Sequence, residues 1–389
     1  LTEVQATYIL DMPLRRLTKF SRFELESERD ELNRTIASLS EILNDEGLLR
    51  SVVSDELAEA AKAHGTPRRT VLLESTGVTA SGASLDLEVA DDPCLVLLSS
   101  TGLLARTSSV TELPPSGARA KHDVITSVVT STARGQIGLL TSAGRIVKCN
   151  VIDLPVINVS GTAPNLSGGA PIGAILDLSE RVLGLTPLDD TSLIALGTKR
   201  GVVKRVSPEV LAKDSWDVIN LDEGDEVVGA VTMPAHSNAE LVFVTSDAQL
   251  LHFPAAAVRP QGRNASGMAG IKLTAKAYVV SFDVLPQDAE AVVVTVAGSS
   301  SALPGTDAGA VKVTAFSEYP GKGRGTGGVR CMRLLKGQDQ LLLAWTGPSP
   351  AVACTASGVP VELPEPDAKR DGSGSAISQP IAGIASRMH

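Results

Sequence analysis

The stretch GRNASGMAGIKL at residues 262–273 recurs later in the chain as GRGTGGVRCMRL at residues 323–334. Both copies follow the pattern G-R-x-x-x-G-apolar-x-x-apolar-basic-L, and each ends a run of short segments rich in β-branched residues. Self-similarity at a long offset is typical of repeat architectures. We therefore predict that one unit of a β-repeat protein occurs more than once, and we name the two copies the first and second Gly-Arg segments.

Both Gly-Arg segments lie in basic windows that contain no acidic residue. The window between Glu318 and Asp339 holds five basic residues, and the window between Asp247 and Asp283 holds four. The chain as a whole has a formal net charge of −9, so the positive charge is local. Solvated loops are one interpretation. Glycine beside arginine also lets a backbone and a guanidinium approach a phosphate together, which indicates a polyanion-binding rim.

Length and composition exclude several classes of protein. The 389 residues suffice for two or three domains, and with only 3% aromatic residues the core is expected to be aliphatic and β-branched. The four cysteines are far apart without a CxxC pair, which argues against a zinc site or a disulfide scaffold. Since no apolar run reaches the roughly 18 residues of a membrane span and Leu1 begins no signal peptide, we expect a cytoplasmic fragment of a longer protein.

The first 66 or so residues have the periodicity of helices. A capping box is predicted at Ser21 to Glu24, followed by a long helix with one apolar seam formed by Leu25, Leu32, Ile36, Leu39 and Leu43. Residues 44–47 are expected to end that helix, and a second helix is predicted from Leu48 to His64. An antiparallel coiled-coil arm and a generic helical hairpin both fit this pattern.

From residue 71 onward the chain repeats a unit of an apolar strand, a tight turn and a second strand, which usually carries a basic residue. Six such units are present, with turns at Gly102, Gly144, Gly201, Asp247-Ala248, Asp307-Ala308-Gly309 and Gly358. This spacing predicts a closed ring of six four-stranded blades, which removes exposed sheet edges. The pattern alone also permits a propeller that binds proteins. The tail after Leu363 either adds a strand that closes the ring or is loose.

Two further motifs resemble a known family. The run QATYILDMPLRRLT at residues 5–18 and the run TPRRT at residues 66–70 are similar to the A subunit of bacterial type IIA DNA topoisomerases, which comprise gyrase and topoisomerase IV. The resemblance implies that residues 1–70 are the helical end of the breakage-reunion region, with its coiled-coil gate. It implies that residues 71–389 form a mainly β, six-bladed β-pinwheel whose basic rim binds and bends DNA. TKRGVVKR at 198–205 and EYPGKGRG at 318–325 resemble the family's blade motifs.

One departure from the family concerns the first blade. Gyrase usually carries a heptapeptide of the form QRRGG(K/R)G there, which is needed to wrap DNA, whereas residues 116–122 here read SGARAKH. Two basic residues, Arg119 and Lys121, and one glycine remain. This degenerate box favours a protein of the topoisomerase IV kind over gyrase. The box alone does not decide between the two.

The resemblance also implies what the chain lacks. Its tyrosines, Tyr8, Tyr278 and Tyr319, are outside the family's Arg-Tyr active-site context, and no GxxxxGK[ST] phosphate loop occurs. We therefore predict no catalytic residue, no metal site and no cofactor in this chain, which is an enzyme only as part of the full-length protein. Mg²⁺ and ATP would act through a B-type partner subunit. Homodimerisation through the gate, double-stranded DNA as partner, no membrane, and a cytoplasmic, nucleoid-associated location are expected.

The predicted function is thus that of the DNA-binding and DNA-bending C-terminal region of a type IIA topoisomerase's A subunit, which presents a DNA segment for ATP-dependent strand passage. The alternative is a β-propeller interaction scaffold without nucleic-acid binding, which the net charge of −9 favours slightly. The predicted DNA-binding residues are Arg106, Arg119, Lys121, Lys148, Lys199, Arg200, Lys204, Arg205, Arg259, Arg263, Lys272, Lys322, Arg324, Arg330 and Arg333.

Overall fold

The computed structural model describes residues 2–11, 19–65, 90–110, 117–157, 164–207, 209–235, 237–287, 289–302, 309–366 and 369–387. The chain divides into two compact units, residues 1–84 and 85–389. The TPRRT run, residues 12–18 of the first family motif, the expected domain boundary at residue 70, Ser116 of the box loop and the turn residues 307 and 308 lie outside the described residues.

The described residues of the first unit form three helices, α1 (Glu3–Leu10), α2 (Lys19–Asn44) and α3 (Glu46–His64), of which α2 and α3 contact each other. Two sequence expectations are wrong. Helix α2 already begins at Lys19, so Ser21 lies inside it and is not its N-cap. Gly47 lies inside α3, whose N-cap is Asp45 because the Asp45 carboxylate accepts from the amides of Gly47 and Leu48. The seam from Leu25 to Leu43 is exposed.

In its described residues, the second unit is built from short strands, one short α-helix, α4 (Ile172–Ile175), and three single-turn 3₁₀ helices. The strands in chain order are β1 (Pro93–Ser99), β2 (Leu103–Thr107), β3 (Ile125–Thr132), β4 (Gln136–Thr141), β5 (Arg145–Asn150), β6 (Val156–Ile157), β7 (Ala170–Pro171), β8 (Val182–Pro187), β9 (Ser192–Thr198), β10 (Val202–Val206), β11 (Ser215–Asp217), β12 (Val227–Pro234), β13 (Ala239–Thr245), β14 (Gln249–Pro254), β15 (Pro260–Gln261), β16 (Met268–Ala269), β17 (Val279–Pro286), β18 (Ala291–Gly298), β19 (Ala310–Ala315), β20 (Val329–Arg330), β21 (Gln340–Pro348), β22 (Ala351–Cys354), β23 (Pro360–Val361), β24 (Ser375–Ala376) and β25 (Gly383–Ser386).

These strands form six sheets, which we number as blades 1 to 6 in chain order. Each blade starts with one of the expected hairpins: β1-β2, β4-β5, β9-β10, β13-β14, β18-β19 and β22-β23. In blades 1 to 5 a later long strand pairs with the first strand of the hairpin on its inner side, and a short strand from beyond the next hairpin pairs with the second strand on its outer side. In blade 4, for example, β20 pairs with β14 although the hairpin of blade 5 lies between them in sequence. Neighbouring blades are therefore interlocked by exchanged outer strands.

The inner strands close a ring. In the order β3, β8, β12, β17, β21 and β25, each contacts the next, and β25 contacts β3. The tail after Leu363 adds strands to the ring rather than being loose, since β24 pairs with β19 of blade 5 and β25 is the inner strand of blade 6. The expectation of a mainly β, six-bladed ring is confirmed. The expectation of four strands in every blade is wrong, since in the described residues blades 1 and 3 have five strands and blade 6 has three.

The hydrophobic core lies mainly between blades and is largely aliphatic, as expected. One cluster joins blades 4 and 5 through Val242, Leu250, Val293 and Ala344. The cluster between blades 3 and 4 is the aromatic exception, since Phe243 packs against Phe253 and Phe282 there. Burial between successive blades makes each blade depend on its neighbours.

The hairpin turns explain the repeated glycine. Gly102, Gly144, Gly201, Gly309 and Gly358 all have φ between 70° and 84°, a left-handed conformation that favours glycine. Blade 4 keeps the same conformation with Ala248 at φ 59°. Its turn is supported by the Asp247 carboxylate, which accepts from the hydroxyls of Thr245 and Thr274.

A carboxyl group lies at the junction of blades 4 and 5. Asp283 on β17 accepts from the hydroxyl of Ser281 and, at 3.1 Å, from the amide of Thr346 on β21. Burial raises the pKa of the Asp283 carboxyl to about 7, although both hydrogen bonds act to lower it. The protonated form therefore stabilises the folded state.

This shift predicts a pH-dependent stability. The contribution of Asp283 is fully present below its ordinary pKa of 3.8 and is lost as the pH rises through about 7. Between about pH 5.5 and about pH 8, we expect the free energy of unfolding to fall by about 2 kcal/mol more in the wild type than in Asp283→Asn. Urea unfolding at both pH values measures this difference. Equal pH dependence in the two proteins would contradict it.

Candidate nucleic-acid interface

The two Gly-Arg segments are the exchanged outer edges of adjacent blades. The first contributes β16, which pairs with β10 of blade 3, and the second contributes β20, which pairs with β14 of blade 4. Their backbones also bond to each other. The amide of Gly325 donates to the carbonyl of Gly270 at 2.7 Å, and the amide of Lys272 donates to the carbonyl of Thr326 at 3.0 Å. The two segments therefore form one continuous surface, which we name the Gly-Arg surface (residues 262–273 and 323–334).

Glycine is required where these segments approach the blades. Gly267 has φ +87°, and a Cβ there would lie 2.8 Å from the carbonyl oxygen of Val203. At Gly328 a Cβ would lie 2.5 Å from the carbonyl oxygen of Leu250. A side chain at either position would push the segment away from its blade, so the glycines of the motif fix the outer edge closely.

Arg324 joins the two segments through its side chain. Its Nη1 donates to the carbonyl of Ala269 at 2.6 Å, and its Nε donates to the carbonyl of Ala257 at 3.2 Å. The guanidinium is half-buried. Arg324 is thus a structural link that also adds positive charge to the surface.

Seven of the fifteen predicted DNA-binding residues are exposed and pair with no carboxylate in the described part of the chain: Lys121, Arg200, Arg259, Lys272, Lys322, Arg330 and Arg333. Four of them belong to the Gly-Arg surface or directly precede its second segment, and Arg259 lies two residues after Ala257, which Arg324 contacts. Lys322 also donates to the carbonyl of Gly328 at 3.2 Å. Unpaired ammonium and guanidinium groups at an exposed edge are available to phosphates.

Two further predicted residues are exposed enough to contact a ligand but already pair with acids. Arg263 lies 3.4 Å from the Glu209 carboxylate, and Lys199 lies 2.9 Å from that of Glu226. These pairs are partly solvated, so they stabilise the protein little. Part of their positive charge is nevertheless neutralised in the free chain.

Four predicted residues lie inside the blades rather than on the rim. Lys204 and Arg205 are buried, with exposed fractions of 0% and 7%, so a phosphate cannot reach them. Lys148 donates to the carbonyl of Leu211 at 2.7 Å, and Arg106 is half-buried on β2. All four residues lie on the second strand of a hairpin, and the exchanged outer strand covers that strand and shields their side chains. We therefore leave these four residues out of the proposed interface.

The buried cations bond to backbone carbonyls. Arg205 donates from Nη1 to the carbonyls of Ala255 and Val258, both at 3.1 Å, and from Nη2 to that of Ala235 at 3.2 Å. Burial lowers the pKa of both Arg205 and Lys204, for Lys204 to about 8. Their role in this structure is to tie connecting segments to the blade.

The box loop closes the ring. In its described part, residues 117–122, the amide of His122 donates to the carbonyl of Gly358 in blade 6 at 2.9 Å. Arg119 pairs with Asp123 at 2.6 Å and donates to the carbonyl of Ala353 at 2.7 Å. The Arg119 side chain is only 19% exposed. Arg119 therefore joins blade 1 to blade 6, and of the two basic residues in the box only Lys121 is exposed.

This geometry predicts a stability effect at Arg119. Arg119→Ala would leave the Asp123 carboxylate, whose side chain is 5% exposed, without its cation. We expect the free energy of unfolding to fall by about 2–4 kcal/mol, as for other enclosed ion pairs that lose one partner. Lys121→Ala, two residues away and exposed, should leave it within about 0.5 kcal/mol of wild type. Urea unfolding compares the two; similar midpoints would contradict the assigned role of Arg119.

The list of predicted DNA-binding residues leaves out two exposed basic residues beside the surface. Lys276 follows the first Gly-Arg segment and Lys336 follows the second, and both are exposed. The signal was available, since both lie in the acid-free windows.

Among the tyrosines, Tyr8 is 67% exposed, whereas Tyr319 is 4% exposed and its carbonyl accepts from His252, so it anchors its loop.

Within the described ranges, no helix is long and apolar enough to cross a membrane. In the same part of the chain, His, Cys, Asp and Glu side chains do not come together in groups of three or more that could hold a metal ion.

Known proteins are similar to this chain in sequence. A family model described as the DNA gyrase C-terminal domain, a β-propeller, matches residues 193–232, 239–286 and 305–343. The A subunit of DNA gyrase from Staphylococcus epidermidis is 29% identical over 401 residues, which cover 96% of this chain and 42% of that protein. Its counterpart from Staphylococcus aureus is 28% identical over 408 residues, with the same coverage. The chain thus spans 42% of the length of these curated relatives.

Two solved structures share the fold. The C-terminal domain of DNA topoisomerase IV superposes with a TM-score of 0.57 at 19% identity, covering 77% of this chain and 94% of that one. The C-terminal domain of DNA gyrase A superposes with a TM-score of 0.51 at 16% identity, covering 75% and 99%. The chain is thus similar in sequence to A subunits of DNA gyrase, and it shares its fold with the C-terminal domains of DNA topoisomerase IV and DNA gyrase A.

Proposed function

We propose that this chain, which resembles the A subunit of bacterial type IIA DNA topoisomerases, binds and bends duplex DNA through its Gly-Arg surface. The observation that carries this proposal is the contact between the two segments, which brings exposed cations from two blades onto one continuous edge, where no carboxylate of the described residues pairs with them. Although the chain has a formal net charge of −9, the two sequence windows that form this edge contain no acidic residue.

Binding would follow from charge neutralisation. Lysine and arginine side chains at the edge take the place of counterions along the DNA backbone, and the release of those counterions drives association. Contacts of this kind position the duplex without reading its bases. Bending over a curved edge costs about 1–6 kcal/mol for tens of base pairs, which several phosphate contacts offset.

The box loop supports binding without wrapping. In gyrase-like wrapping, the box would hold DNA beside blade 1. Here the Arg119 side chain already forms a salt bridge with Asp123 and donates a hydrogen bond to the carbonyl of Ala353. Only Lys121 remains for a phosphate in the described part of this loop. We therefore propose a topoisomerase IV-like role, in which the domain presents a second DNA segment to the cleavage site of the full-length protein.

A ligation assay tests this proposal. Nicked circular DNA is sealed at low salt with increasing amounts of the chain, and topoisomers and mobility are then measured on gels. We expect retarded mobility without a change in linking number. A change in linking number would show wrapping and restore a gyrase-like role. No retardation and no change would contradict DNA binding and favour the protein-interaction scaffold, the alternative that the sequence left open.

The remaining assignments concern the whole enzyme. We propose that the full-length protein works as a homodimer with a B-type subunit, which supplies ATP hydrolysis and Mg²⁺, in the bacterial cytoplasm near the nucleoid. This chain alone should not cleave DNA, because its tyrosines stand outside an Arg-Tyr context. Cleavage of supercoiled plasmid by the purified chain would contradict this expectation.

A further inference from the structure

Lys204 is too deeply buried to contact DNA, yet its side chain bonds to the first Gly-Arg segment. Its side chain is 0% exposed, and its Nζ donates to the carbonyls of Val218, Arg263 and Ala265 at 2.7, 2.9 and 2.8 Å. An ammonium group has three N–H donors, so these three carbonyls saturate it. Two of the acceptors belong to the first Gly-Arg segment, and no carboxylate in the described residues pairs with the charge.

Blade 5 repeats this contact at the equivalent position. Lys312 follows Gly309 by three residues, as Lys204 follows Gly201, and it is 2% exposed. Its Nζ donates to the carbonyls of Lys369, at 3.0 Å, and Arg370. In both blades the lysine holds the segment that leads into the exchanged outer strand. The residues at this position in the other four blades are apolar: Ala105, Val147, Leu251 and Val361.

We propose that Lys204 is a positioning residue that holds residues 262–267, which include Arg263, in the conformation in which the Gly-Arg surface binds phosphate. This inference rests on the proposed DNA binding. The turn contains Gly262, where a side chain would meet nothing within 4 Å, and Gly267 with its positive φ, so its own sequence constrains it weakly. The hydrogen bonds from Lys204 hold the carbonyls of Arg263 and Ala265 toward the blade, so the opposite side of the turn faces outward. Because the turn is already ordered in the free chain, DNA binding does not carry the entropy cost of ordering it.

Methionine at position 204 removes the anchor while keeping an unbranched side chain. We expect Lys204→Met to lower the affinity for a duplex of about 30 base pairs about tenfold at roughly 0.1 M salt, the loss of roughly one phosphate contact. Lys312→Met is the matched control, because it removes the same kind of anchor from a segment outside the Gly-Arg surface. Fluorescence anisotropy gives the affinities, and urea unfolding gives the stability of each variant.

Glutamine separates the hydrogen bonds from the charge. Lys204→Gln keeps two N–H donors without the charge, so a positioning role predicts an affinity between those of the wild type and Lys204→Met. If the methionine variant does not fold, the comparison of Lys204→Gln with Lys312→Gln decides the same question.

The pH profile gives a readout that a purely structural role would not change. Because burial lowers the pKa of Lys204 to about 8, the wild-type affinity should fall as the pH rises from about 7 to about 9, and Lys204→Met should show a flatter profile. The charged groups on the elements around Lys204 are Arg205 beside it on β10, Asp217 next to Val218, and Arg263 with its partner Glu209.

The outcomes are distinguishable. A larger affinity loss in Lys204→Met than in Lys312→Met at similar stability, with the flatter pH profile, supports the inference. Equal losses in the two variants, or wild-type affinity in Lys204→Met, overturn it while leaving DNA binding intact. A wild-type chain that does not bind DNA overturns the proposed function and this inference with it.

Discussion

Replacing Arg259, Lys272, Lys322 and Arg330 with alanine is expected to lower the affinity for duplex DNA by about 100- to 1,000-fold at roughly 0.1 M salt. All four side chains are exposed and unpaired with carboxylates in the described residues. Each lost phosphate contact should reduce the slope of log affinity against log salt by about 0.9, so the total reduction should approach about 3 to 4.

Fluorescence anisotropy with a labelled duplex across a salt series measures both quantities. The matched control replaces four exposed basic residues that are not part of segments 262–273 and 323–334, Arg34, Lys62, Arg181 and Lys213, and removes the same net charge. The control should retain most of the affinity and nearly the wild-type slope. Equal losses in the two variants would mean that net charge, rather than this surface, determines binding.

The second large effect concerns ring closure. Ile384 on β25 is 5% exposed and packs in the core between blades 5 and 6. Ile384→Asp would place an unpaired carboxylate there, and we expect the free energy of unfolding to fall by about 3–5 kcal/mol, with blade 6 separating from blade 5 and the ring opening. Ala382→Asp is the control, since residue 382 is exposed two positions earlier.

Urea unfolding and limited proteolysis test this effect. Cleavage within residues 351–361 should appear at low protease concentration in Ile384→Asp and not in Ala382→Asp. Equal stability and equal resistance in both variants would show that β25 does not close the ring, contrary to its contact with β3.

The hairpins could be predicted from sequence because their signals are local. An apolar strand, a turn residue with positive φ and a second strand lie close together in the sequence, although the connection between β18 and β19 is longer than in the other blades. All six expected hairpins form the two central strands of a blade. The helix bounds were nearly right for the same reason. Ser21 and Gly47 were wrongly predicted to lie at helix ends, because polar residues and glycine also occur within helices. The apolar periodicity of a helix does not show where the helix begins or ends.

The exchanged outer strands could not be predicted. Strands such as β16 and β20 contain two residues each, too few for a periodic pattern, and their partners lie beyond an intervening hairpin. This exchange decides the candidate site. It covers the second hairpin strand, which buries Lys204 and Arg205, and it brings the two Gly-Arg segments into contact. Sequence repetition indicated equivalent positions but not which lysines face inward.

The box loop shows the same limit. Its basic residues resemble DNA ligands in the sequence, yet Arg119 is enclosed by Asp123 and by the carbonyl of Ala353, which lies more than two hundred residues away. Because ring closure joins the two ends of the domain, its contacts are non-local and leave no local pattern.

Hydrogen–deuterium exchange of the chain with and without duplex DNA tests the central claim most directly, because it locates the interface without any substitution. DNA should protect peptides that cover residues 262–273 and 323–334, while peptides from β8 and from residues 117–123 should exchange as in the free chain. Protection confined to other blades or to the helices, under conditions in which the DNA is bound, would contradict the assignment of the Gly-Arg surface.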